Sequence, residues 1–519
     1  MSLTPEQEQR AGALEENRTL GEAQFVVADP SSLSQSSVLI PLGEQKILSL
    51  QLDHRLDRGP DDFTWIGSPD SPAGQSVLVV HDGEITGVIY DGIEQYSITP
   101  LGAGLHALTK VDHRAFPPDH PPGPLPRAPH DPNERRGDAS GDGRIEIDFL
   151  GVYTPQALSA NANIVSTIQL AVDMANASYL ASNANVRLRL VGTMLATGYS
   201  EAGKSYQGLL EDITFGAGAM SAVHTQRNAL GADLVGLFVN NGVYCGMAWV
   251  NSSNAYAYSV TSHFCVNNHT FAHELGHNFG AWHDIANSPI NVPFLYGHGY
   301  IHPQNLWRTI QSYPGPCGNC PRIGNFSNPQ VNHNGHPTGT VTQHDVARVH
   351  RERAATIANF RATVIGNKGD ITSPAPDSTL PGSSVNFQWN PGSGAQGYWL
   401  YVGSSAGGSQ YHDSGALGSG TLSRPVTGLP TNGSTIHVRL YTRLGGAWQH
   451  NDYSYTAFNG TKAAMTSPGN GTTLAGTSVT FNWNAGTNAS AYWLYVGSSV
   501  GGSQYHDSGQ LSTGTLSRA

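Results

Sequence analysis

The sequence predicts a multidomain protein: an α/β domain with a twisted, mostly parallel sheet, preceded by a small antiparallel β domain and followed by β-sandwich repeats. A chain of 519 residues is too long to fold around one hydrophobic core. Strand-like and helix-like patterns alternate through the middle of the chain, which is typical of parallel sheets. Near its end one block of sequence occurs twice, which indicates repeated modules.

The composition limits the classes of partner. Charged residues make up 13% of the chain, which contains 61 glycines and 31 prolines. This balance favours β-rich, loop-rich extracellular modules over a helical cytosolic protein. The formal net charge of -11, without any basic run, argues against nucleic acid as a partner. No stretch approaches the roughly 18 apolar residues of a membrane helix, so no membrane span is expected.

Residues 1–116 are expected to form the small antiparallel β domain. Asp82-Gly83 and Asp91-Gly92 lie between apolar runs, and Asp-Gly in that position favours hairpins. Residues 117–143 are rich in proline and contain the basic pair Arg135-Arg136. Such a segment is extended and open to proteases, so we expect a cleavable linker.

The α/β domain is expected over residues 144–365. IEIDFLGVYTP, from Ile145, predicts a buried strand, and Thr154-Pro155 supplies the cap and first-turn proline of the helix that follows. VRLRLVGTML and ADLVGLFV predict two further strands, with a second helix over residues 205–228 between them. A last helix near VTQHDVARVHRERAATIANFRATV closes the domain.

An acidic segment before the first strand resembles half of a calcium loop. Asp138, Ser140, Asp142 and Gly143 match its first half, but Phe149 stands where the loop requires glutamate. A Ca²⁺ site is therefore only weakly supported. A solvated turn is the alternative that we favour.

Residues 372–465 and 466–519 are expected to be two copies of one β-sandwich. TSPAPDSTLPGSSVNFQWN begins at residue 372 and TSPGNGTTLAGTSVTFNWN at residue 466, an offset of 94. Alternating apolar residues such as Phe387 and Trp389, with Gly, Ser and Pro between strands, fit an immunoglobulin or fibronectin type III module. The second copy stops before any match to TIHVRLYTRL, so we expect it to be truncated.

The cysteines cluster in one part of the chain. Cys245 and Cys265 flank a predicted strand, and Cys317 and Cys320 form a CxxC motif. An even count in a chain expected to be exported favours two disulfides. A redox or structural zinc site is the alternative for the CxxC motif, although the spacing does not bring four thiolates together.

The segment HTFAHELGHNFGAWHD contains HExxHxxGxxH, which predicts a Zn²⁺ site. On a helix His273 and His277 project from one face and can hold one ion. Gly280 allows the chain to leave the helix in a left-handed conformation and to bring His283 round as the third ligand. Three imidazoles leave a position for water, and Glu274 is close enough to take a proton from it.

This segment resembles the metzincin zinc metalloproteases, and Asp284 after the third histidine resembles their reprolysin (adamalysin) branch. IDFLGVYTP, GADLVGLFV, YCGMAWV and CPRIGNFSNP are similar to a bacterial reprolysin-like group that includes peptidyl-Asp metallopeptidases, over roughly residues 145–365. The resemblance implies a secreted endopeptidase that binds protein or peptide in extended form along an edge strand near residues 254–262. It also implies a Cys245–Cys265 disulfide. The pocket that selects the substrate side chain is expected in the loop after residue 284.

One position departs from the metzincin pattern. Metzincins place a methionine in a turn beneath the zinc, whereas RTIQSY has Gln311 here, and no methionine occurs between residues 248 and 464. Because that residue supports the site without binding metal, Gln311 is expected to weaken the support and keep the zinc. Tyr313 stands where some metzincins have a catalytic tyrosine, and a packing role is the alternative. Four nearby histidines are expected to be loop or surface residues and not ligands: His263, His269, His298 and His302.

The N-terminal domain is expected to be a propeptide, so that the chain is a zymogen. Many metzincin propeptides silence the zinc with a cysteine, and this N-terminal region has none. Asp119 or His120 in the linker could take that role. Steric cover by the β domain is the alternative.

The main alternative function is a catalytically weak, zinc-binding adhesion or carbohydrate-binding protein that acts through its C-terminal modules. Trp399, Tyr401 and Tyr411 could stack on sugars and give surface or polysaccharide contact, although alternating aromatics also fill sandwich cores. The presence of Glu274 favours an active enzyme, whereas Gln311 mildly favours a protein that has lost catalytic activity. The polar start, MSLTPEQEQRAGALEENRTL, lacks a secretory signal, so for a secreted protein we expect a missing N-terminus.

Overall fold

The computed structural model describes residues 3–43, 46–59, 62–69, 74–119, 143–216, 218–364 and 366–519. The chain folds into two compact units, residues 1–365 with 445–448 and residues 366–444 with 449–519. No helix within the described ranges is long and apolar enough to cross a membrane. Several residues singled out above lie outside these ranges: His120, Arg135-Arg136 and the calcium-loop residues Asp138, Ser140 and Asp142.

The first unit begins with a helix and an antiparallel sheet. Helix α1 (Pro5–Glu15) starts at a capping box between Thr4 and Gln7. The strands that follow are β1 (Leu20–Val27), β2 (Ser37–Pro41), β3 (Ile47–Gly59), β4 (Asp62–Pro69), β5 (Ser76–His81), β6 (Glu84–Tyr90), β7 (Gln95–Gly102) and β8 (Leu105–Val111). Their order is β1-β8-β7-β6-β5-β4-β3-β2. Asp82-Gly83 turns β5 into β6 and Asp91-Gly92 joins β6 to β7, as predicted.

The N-terminal sheet shares a core with the next part of the unit. Val77, Val79 and Val88 of the sheet belong to the same buried cluster as Ile168 and Val172 of helix α3 (Ile164–Ala181). Arg58 at the end of β3 also forms a buried ion pair with Asp173 of that helix, at 3.3 Å. The sheet is therefore packed on the α/β region through both apolar and charged contacts.

The α/β region contains a mostly parallel sheet, as predicted. Its elements are β9 (Ile145–Tyr153), α2 (Pro155–Ala160), α3, β10 (Val186–Leu195), α4 (Tyr206–Phe215), α5 (Ser221–Leu230), β11 (Leu234–Val239), β12 (Gly246–Ala248), β13 (Tyr258–Ser262), α6 (Thr270–Phe279), β14 (Asn332–His333), β15 (His336–Pro337) and α7 (Val346–Ile357). The main sheet has the order β10-β9-β11-β13-β12. The first four strands are parallel, and β12 is antiparallel to β13.

Two expectations about this region were wrong. The single helix expected over residues 205–228 is two helices, because Gly216 takes a left-handed φ of 68° and ends α4. The strand expected at the edge, near residues 254–262, lies inside the sheet as β13. The edge is the short strand β12, which pairs with β13 through Gly246 and Thr261.

The second unit is a β-sandwich followed by part of a second one. The first copy comprises β16 (Ile371–Ser373), β17 (Ser384–Trp389), β18 (Gly397–Gly403), β19 (His412–Asp413), β20 (Leu417–Gly418), β21 (Ser423–Thr427), β22 (Thr435–Leu444) and β23 (Ala447–Thr456). Sheets β16-β17-β21 and β19-β18-β22-β23 enclose one buried cluster. The second copy comprises β24 (Met465–Ser467), β25 (Phe481–Trp483), β26 (Tyr495–Val496), β27 (His506–Asp507) and β28 (Ser517–Arg518). Its sheet β24-β25-β28 repeats β16-β17-β21, as the sequence repeat predicts.

Both predicted disulfides are present. Cys245 pairs with Cys265, which ties the start of β12 to the segment before helix α6. Cys317 pairs with Cys320, so the CxxC motif is neither a redox pair of free thiols nor part of a metal site in this structure. The first bond holds the edge of the sheet next to the histidine helix.

Candidate metal centre and active site

Helix α6 and the turn after it bring three histidines together. His273 and His277 lie one turn apart on the helix, which ends at Gly280 with a left-handed φ of 110°. The chain then reverses, and His283 reaches the same point. The Nε2 atom of His277 lies 3.2 Å from that of His273 and 3.0 Å from that of His283. The structure therefore assembles the predicted triplet in one place.

The chemistry of this triplet fits a divalent metal ion. The Nδ1 atoms of His273 and His277 lie 2.9 Å from the carbonyl oxygens of Ile310 and Ala281, respectively. A carbonyl only accepts, so each Nδ1 donates a proton and each Nε2 presents a lone pair. Lone pairs that converge at such distances repel one another unless a cation lies between them. The candidate ligand atoms of the three histidines all lie within 4.8 Å of one another, close enough to bind one ion together.

Glu274 is buried beside the triplet. Its side chain is 1% exposed, and no described residue offers a hydrogen bond to its Oε2 atom. Burial raises the pKa of the Glu274 carboxyl well above its ordinary value, and the nearby Asp119 charge raises it further. A side chain at Gly246, in edge strand β12, would collide with the Glu274 carboxylate. The carboxylate therefore lies between the histidines and the edge of the sheet.

Tyr313 lies against the third histidine. Its ring centroid is 4.0 Å from that of His283. Its backbone N–H donates to Asp284 at 3.0 Å, so the residue after the third histidine fastens the turn that carries the tyrosine. Burial raises the pKa of the Tyr313 hydroxyl, which keeps it protonated and able to donate.

Gln311 lies beneath the histidine helix, as the metzincin pattern predicts for that turn. Its side-chain amide contacts helix α6 at Gly276, where no side chain would fit. The residue is fully buried, and neither amide atom has a hydrogen-bond partner among the described residues. The amide fills the place of a methionine without the hydrogen bonds that a buried amide requires.

Four other histidines stay outside the triplet among the described residues, as predicted. Three of them, however, are buried and not on the surface: His269, His298 and His302. The Nδ1 atom of His298 lies 3.0 Å from the carbonyl oxygen of His283, so this histidine supports the turn of the third imidazole. Burial lowers the pKa of His298, as expected of a neutral structural imidazole.

Three charged residues complete the surroundings, and only Asp119 was nominated from the sequence. Asp119 is buried and forms an ion pair with Arg322 at 2.6 Å. Arg308 is buried next to Arg322, and the two backbones form a parallel bridge. Arg308 begins the segment RTIQSY and Arg322 lies in CPRIGNFSNP, two segments that the comparison with metzincins singled out. Their place in these segments is the signal in the sequence that could have found them.

Comparisons with known proteins agree with this site. The profile of the family described as "Metallo-peptidase family M12B Reprolysin-like" matches residues 165–284, which include the triplet and Glu274. The peptidyl-Asp metalloendopeptidase of Xanthomonas campestris pv. campestris is 35% identical over 373 residues, 65% of this chain and 88% of the relative. The enzyme of the same name from Stenotrophomonas maltophilia (strain R551-3) is 34% identical over 364 residues, 65% of this chain and 86% of the relative.

The fold and site therefore define a zinc metalloendopeptidase. The alignments cover most of the length of both relatives, and about a third of the aligned residues are identical. The similarity is therefore not confined to the histidine motif. The chain belongs to the peptidyl-Asp metalloendopeptidase family. For the C-terminal repeats, a solved structure entitled "Crystal Structure of FN3tt" covers 18% of this chain and 98% of its own at 16% identity, but its TM-score of 0.15 supports no argument.

Proposed function

We propose that this protein is a secreted endopeptidase that cuts polypeptides beside aspartate, with His273, His277 and His283 as zinc ligands and Glu274 as the general base. The aspartate preference is taken from the name that the relatives carry. The observation that carries the proposal is the buried Glu274 carboxylate beside the triplet, with no described hydrogen-bond partner at Oε2. Among the described residues, this oxygen atom is left available to accept a proton from water or substrate.

Zinc held by the triplet would polarise the scissile carbonyl and stabilise the negative charge that develops there. Glu274 accepts a proton from the attacking water and then gives it to the leaving amine. The exclusion of bulk water from this buried site strengthens both interactions. Helix α6 fixes the carboxylate next to two of the ligands, so little reorganisation accompanies the reaction.

Tyr313 is proposed to donate its hydroxyl to the oxygen on which charge develops. Its position against the His283 ring and its protonated state support this role. Tyr313→Phe should lower kcat about 10- to 100-fold with zinc content and KM little changed. An unchanged kcat would leave the tyrosine with the packing role.

The substrate is proposed to bind in extended form along edge strand β12. Main-chain pairing with an open strand holds a peptide without regard to most of its side chains. The Pro118 carbonyl already accepts a hydrogen bond from the Cys245 N–H at 3.3 Å, directly before β12. An extended segment at this edge supports the proposal that substrates bind there too.

The N-terminal sheet and the segment that leads to Asp119 are proposed to be a propeptide. The sheet packs on helix α3, and the segment bonds to Cys245 at the edge of the parallel sheet, so steric cover and Asp119 can act together. Cleavage between residues 120 and 142 would release both. Zymogen character and secretion are parts of this proposal, and any Ca²⁺ site would lie in the same stretch.

The C-terminal modules are proposed to contact a surface or polysaccharide. Trp399 and Tyr401 lie on one face of strand β18, whereas Tyr411 packs against the core of the module. The corresponding Trp493 of the second copy is 54% exposed. Membership of an endopeptidase family favours these modules as accessories over the alternative of an adhesion protein with a weak zinc site.

Glu274→Gln tests the central assignment. The full chain should keep one zinc per molecule, measured by elemental analysis, and lose at least about 100-fold in chelator-sensitive cleavage of casein. Glu201→Gln is the matched control, because Glu201 is also buried and binds the backbone N–H of Asn240 at 3.0 Å, outside the triplet. Activity of Glu274→Gln within threefold of the unaltered chain would contradict the proposal.

A further inference from the structure

Two arginine side chains are buried beside the histidine triplet. Arg308 and Arg322 are 5% and 4% exposed. Arg308 donates from Nη1 to the Ser312 carbonyl at 2.5 Å, and Arg322 donates from Nη1 to the Asn268 carbonyl at 2.9 Å. Burial, and then the charge of Arg322, hold the pKa of Arg308 well below its usual range. Two positive charges are thus concentrated where there is little water to solvate them.

The carboxylate that balances them comes from a distant part of the chain. Asp119 accepts a hydrogen bond from Arg322 Nη2 at 2.6 Å, and no other described carboxylate is ion-paired with Arg322. Asp119 is 9% exposed, and its Oδ1 atom has no hydrogen-bond partner among the described residues. Burial would raise the pKa of Asp119, but Arg322, Arg308 and His283 hold it below its ordinary value.

The main chain before Asp119 lies where a substrate is expected. Pro118 accepts from the Cys245 N–H at the start of the edge strand, and the next side chain extends to Arg322. Asp119 does not belong to the group of ligand atoms within 4.8 Å of one another, so it does not take the fourth position around the triplet. Its carboxylate instead lies against Arg322, near enough to His283 and Glu274 for their charges to interact.

We propose that Arg322, with Arg308 behind it, binds the carboxylate of an aspartate side chain in the substrate, and that Asp119 fills this pocket until the N-terminal segment is cut away. The proposal rests on the endopeptidase function proposed above and names the residues that select its substrate. It also gives Asp119 a role other than the silencing of the zinc, for which the sequence offered Asp119 or His120: it is an internal copy of the substrate side chain.

The physical basis is the cost of a buried charge without a partner. When Asp119 leaves, Arg322 keeps only carbonyl acceptors, and a buried guanidinium gains most from a new carboxylate. An amide of the same shape cannot replace that charge, so asparagine is rejected. A site built to pair a charged group discriminates far more strongly than an apolar pocket does.

Cleavage preference tests the pocket directly. The full chain, activated by trace protease, is compared with Arg322→Gln on peptides that differ only in Asp or Asn at the cleavage position. The ratio of kcat/KM for Asp over Asn should fall at least about 100-fold in Arg322→Gln. Arg227→Gln is the matched control, because Arg227 is equally buried and held by the Ala232 carbonyl, away from the site. That variant should lose thermal stability and keep the ratio.

Arg322→Lys serves if Arg322→Gln does not fold. It keeps the charge and loses the fork of donors, so the ratio should fall about tenfold and stay in favour of Asp. If the ratio of kcat/KM for Asp over Asn stays within about twofold of that of the unaltered chain in Arg322→Gln, or in Arg322→Lys where that variant is used, while cleavage remains chelator-sensitive, the pocket is overturned and the proposed function is left intact. Loss of chelator sensitivity in the unaltered chain would instead overturn the proposed function.

Peptide binding to a variant that does not cleave tests whether Asp119 occupies the pocket. In a Glu274→Gln background, a fluorescent Asp-containing peptide should bind at least about tenfold more tightly to the Asp119→Asn full chain than to the chain that retains Asp119. Asp112→Asn is the control, because Asp112 lies in the same segment, is exposed, and its carboxylate accepts from the nearby Arg114 N–H. Equal peptide affinity of the chains with and without the Asp119 carboxylate would overturn the proposal that Asp119 fills the pocket.

Discussion

Asp119 and Asp233 are two buried aspartates of the same unit whose carboxylates are held in different ways. Asp119 is bound by the guanidinium of Arg322, and its pKa is lowered despite burial. Asp233 accepts from the backbone N–H groups of Asp148 and Arg361 at 2.9 and 3.0 Å, and burial raises its pKa to about 7. A full opposite charge therefore outweighs the desolvation of the carboxylate, whereas two backbone dipoles do not.

The difference bears on function. The partners of Asp233 are main-chain groups of strand β9 and of the segment after helix α7, so its environment belongs to the α/β region itself. The partner of Asp119 is a side chain of a segment 203 residues away, and its guanidinium can pair with any carboxylate that reaches it. This difference is what the proposed exchange of Asp119 for a substrate carboxylate requires.

The largest expected effect comes from breaking the charged pair. Asp119→Ala in the full chain should lower the free energy of unfolding by about 3–5 kcal/mol, because Arg322 is left buried without its carboxylate. Urea unfolding followed by tryptophan fluorescence measures this. Asp112→Ala, which removes an exposed carboxylate from the same segment, should cost less than about 1 kcal/mol.

A second change separates the lost pair from other damage at Asp119. Replacement of both partners, Asp119→Ala with Arg322→Met, should recover most of the lost stability, since neither member of the pair is then left buried without the other. If the double variant is as unstable as Asp119→Ala alone, the pair is not the source of the effect.

Asp233 should make the free energy of unfolding depend on pH, and this tests the contrast between the two aspartates from the other side. A carboxyl with an unfolded pKa near 3.8 and a folded pKa of about 7 favours folding below pH 4, and this contribution is lost as the pH rises to 7. The slope is about 1.4 kcal/mol per pH unit over that window. Asp233→Asn should remove it, so that urea midpoints of the variant vary less between pH 4.5 and 7 than those of the unaltered chain. Parallel pH curves would contradict the raised pKa.

Gln311 is a third buried polar side chain, and among the described residues its amide has neither a charged partner nor a backbone partner. Gln311→Met should raise the free energy of unfolding by about 1–2 kcal/mol, because two amide atoms without described partners are removed and the volume is kept. Zinc content should stay the same. Gln207→Met, on an exposed face of α4, should change stability by less than about 0.5 kcal/mol. A loss of stability in Gln311→Met would indicate that the amide has partners within the folded protein.

Local pattern predicted much of the fold and part of the site. The spacing of His273, His277 and His283 is set by one helix and one turn, so the sequence was sufficient to bring them together. The repeat offset likewise predicted the recurrence of β17 as β25. The position of Gln311 beneath the helix followed from the resemblance to metzincins.

The rest depends on contacts between distant segments. Strand β12 is three residues long, too short to show any periodicity, so the edge of the sheet was assigned to β13. Gly216 divides the helix expected over residues 205–228, although the apolar spacing continues across it. Arg322 and Asp119 are 203 residues apart and meet only when the unit is folded, so neither local segment gives any warning of the contact.

Gly246 has a consequence for how closely a peptide can approach. A Cβ atom there would lie too close to Glu274 Oε1, so any larger residue would force the carboxylate or the strand to shift. The proposed base and the proposed substrate strand therefore share one narrow space, which only a residue without a side chain leaves open.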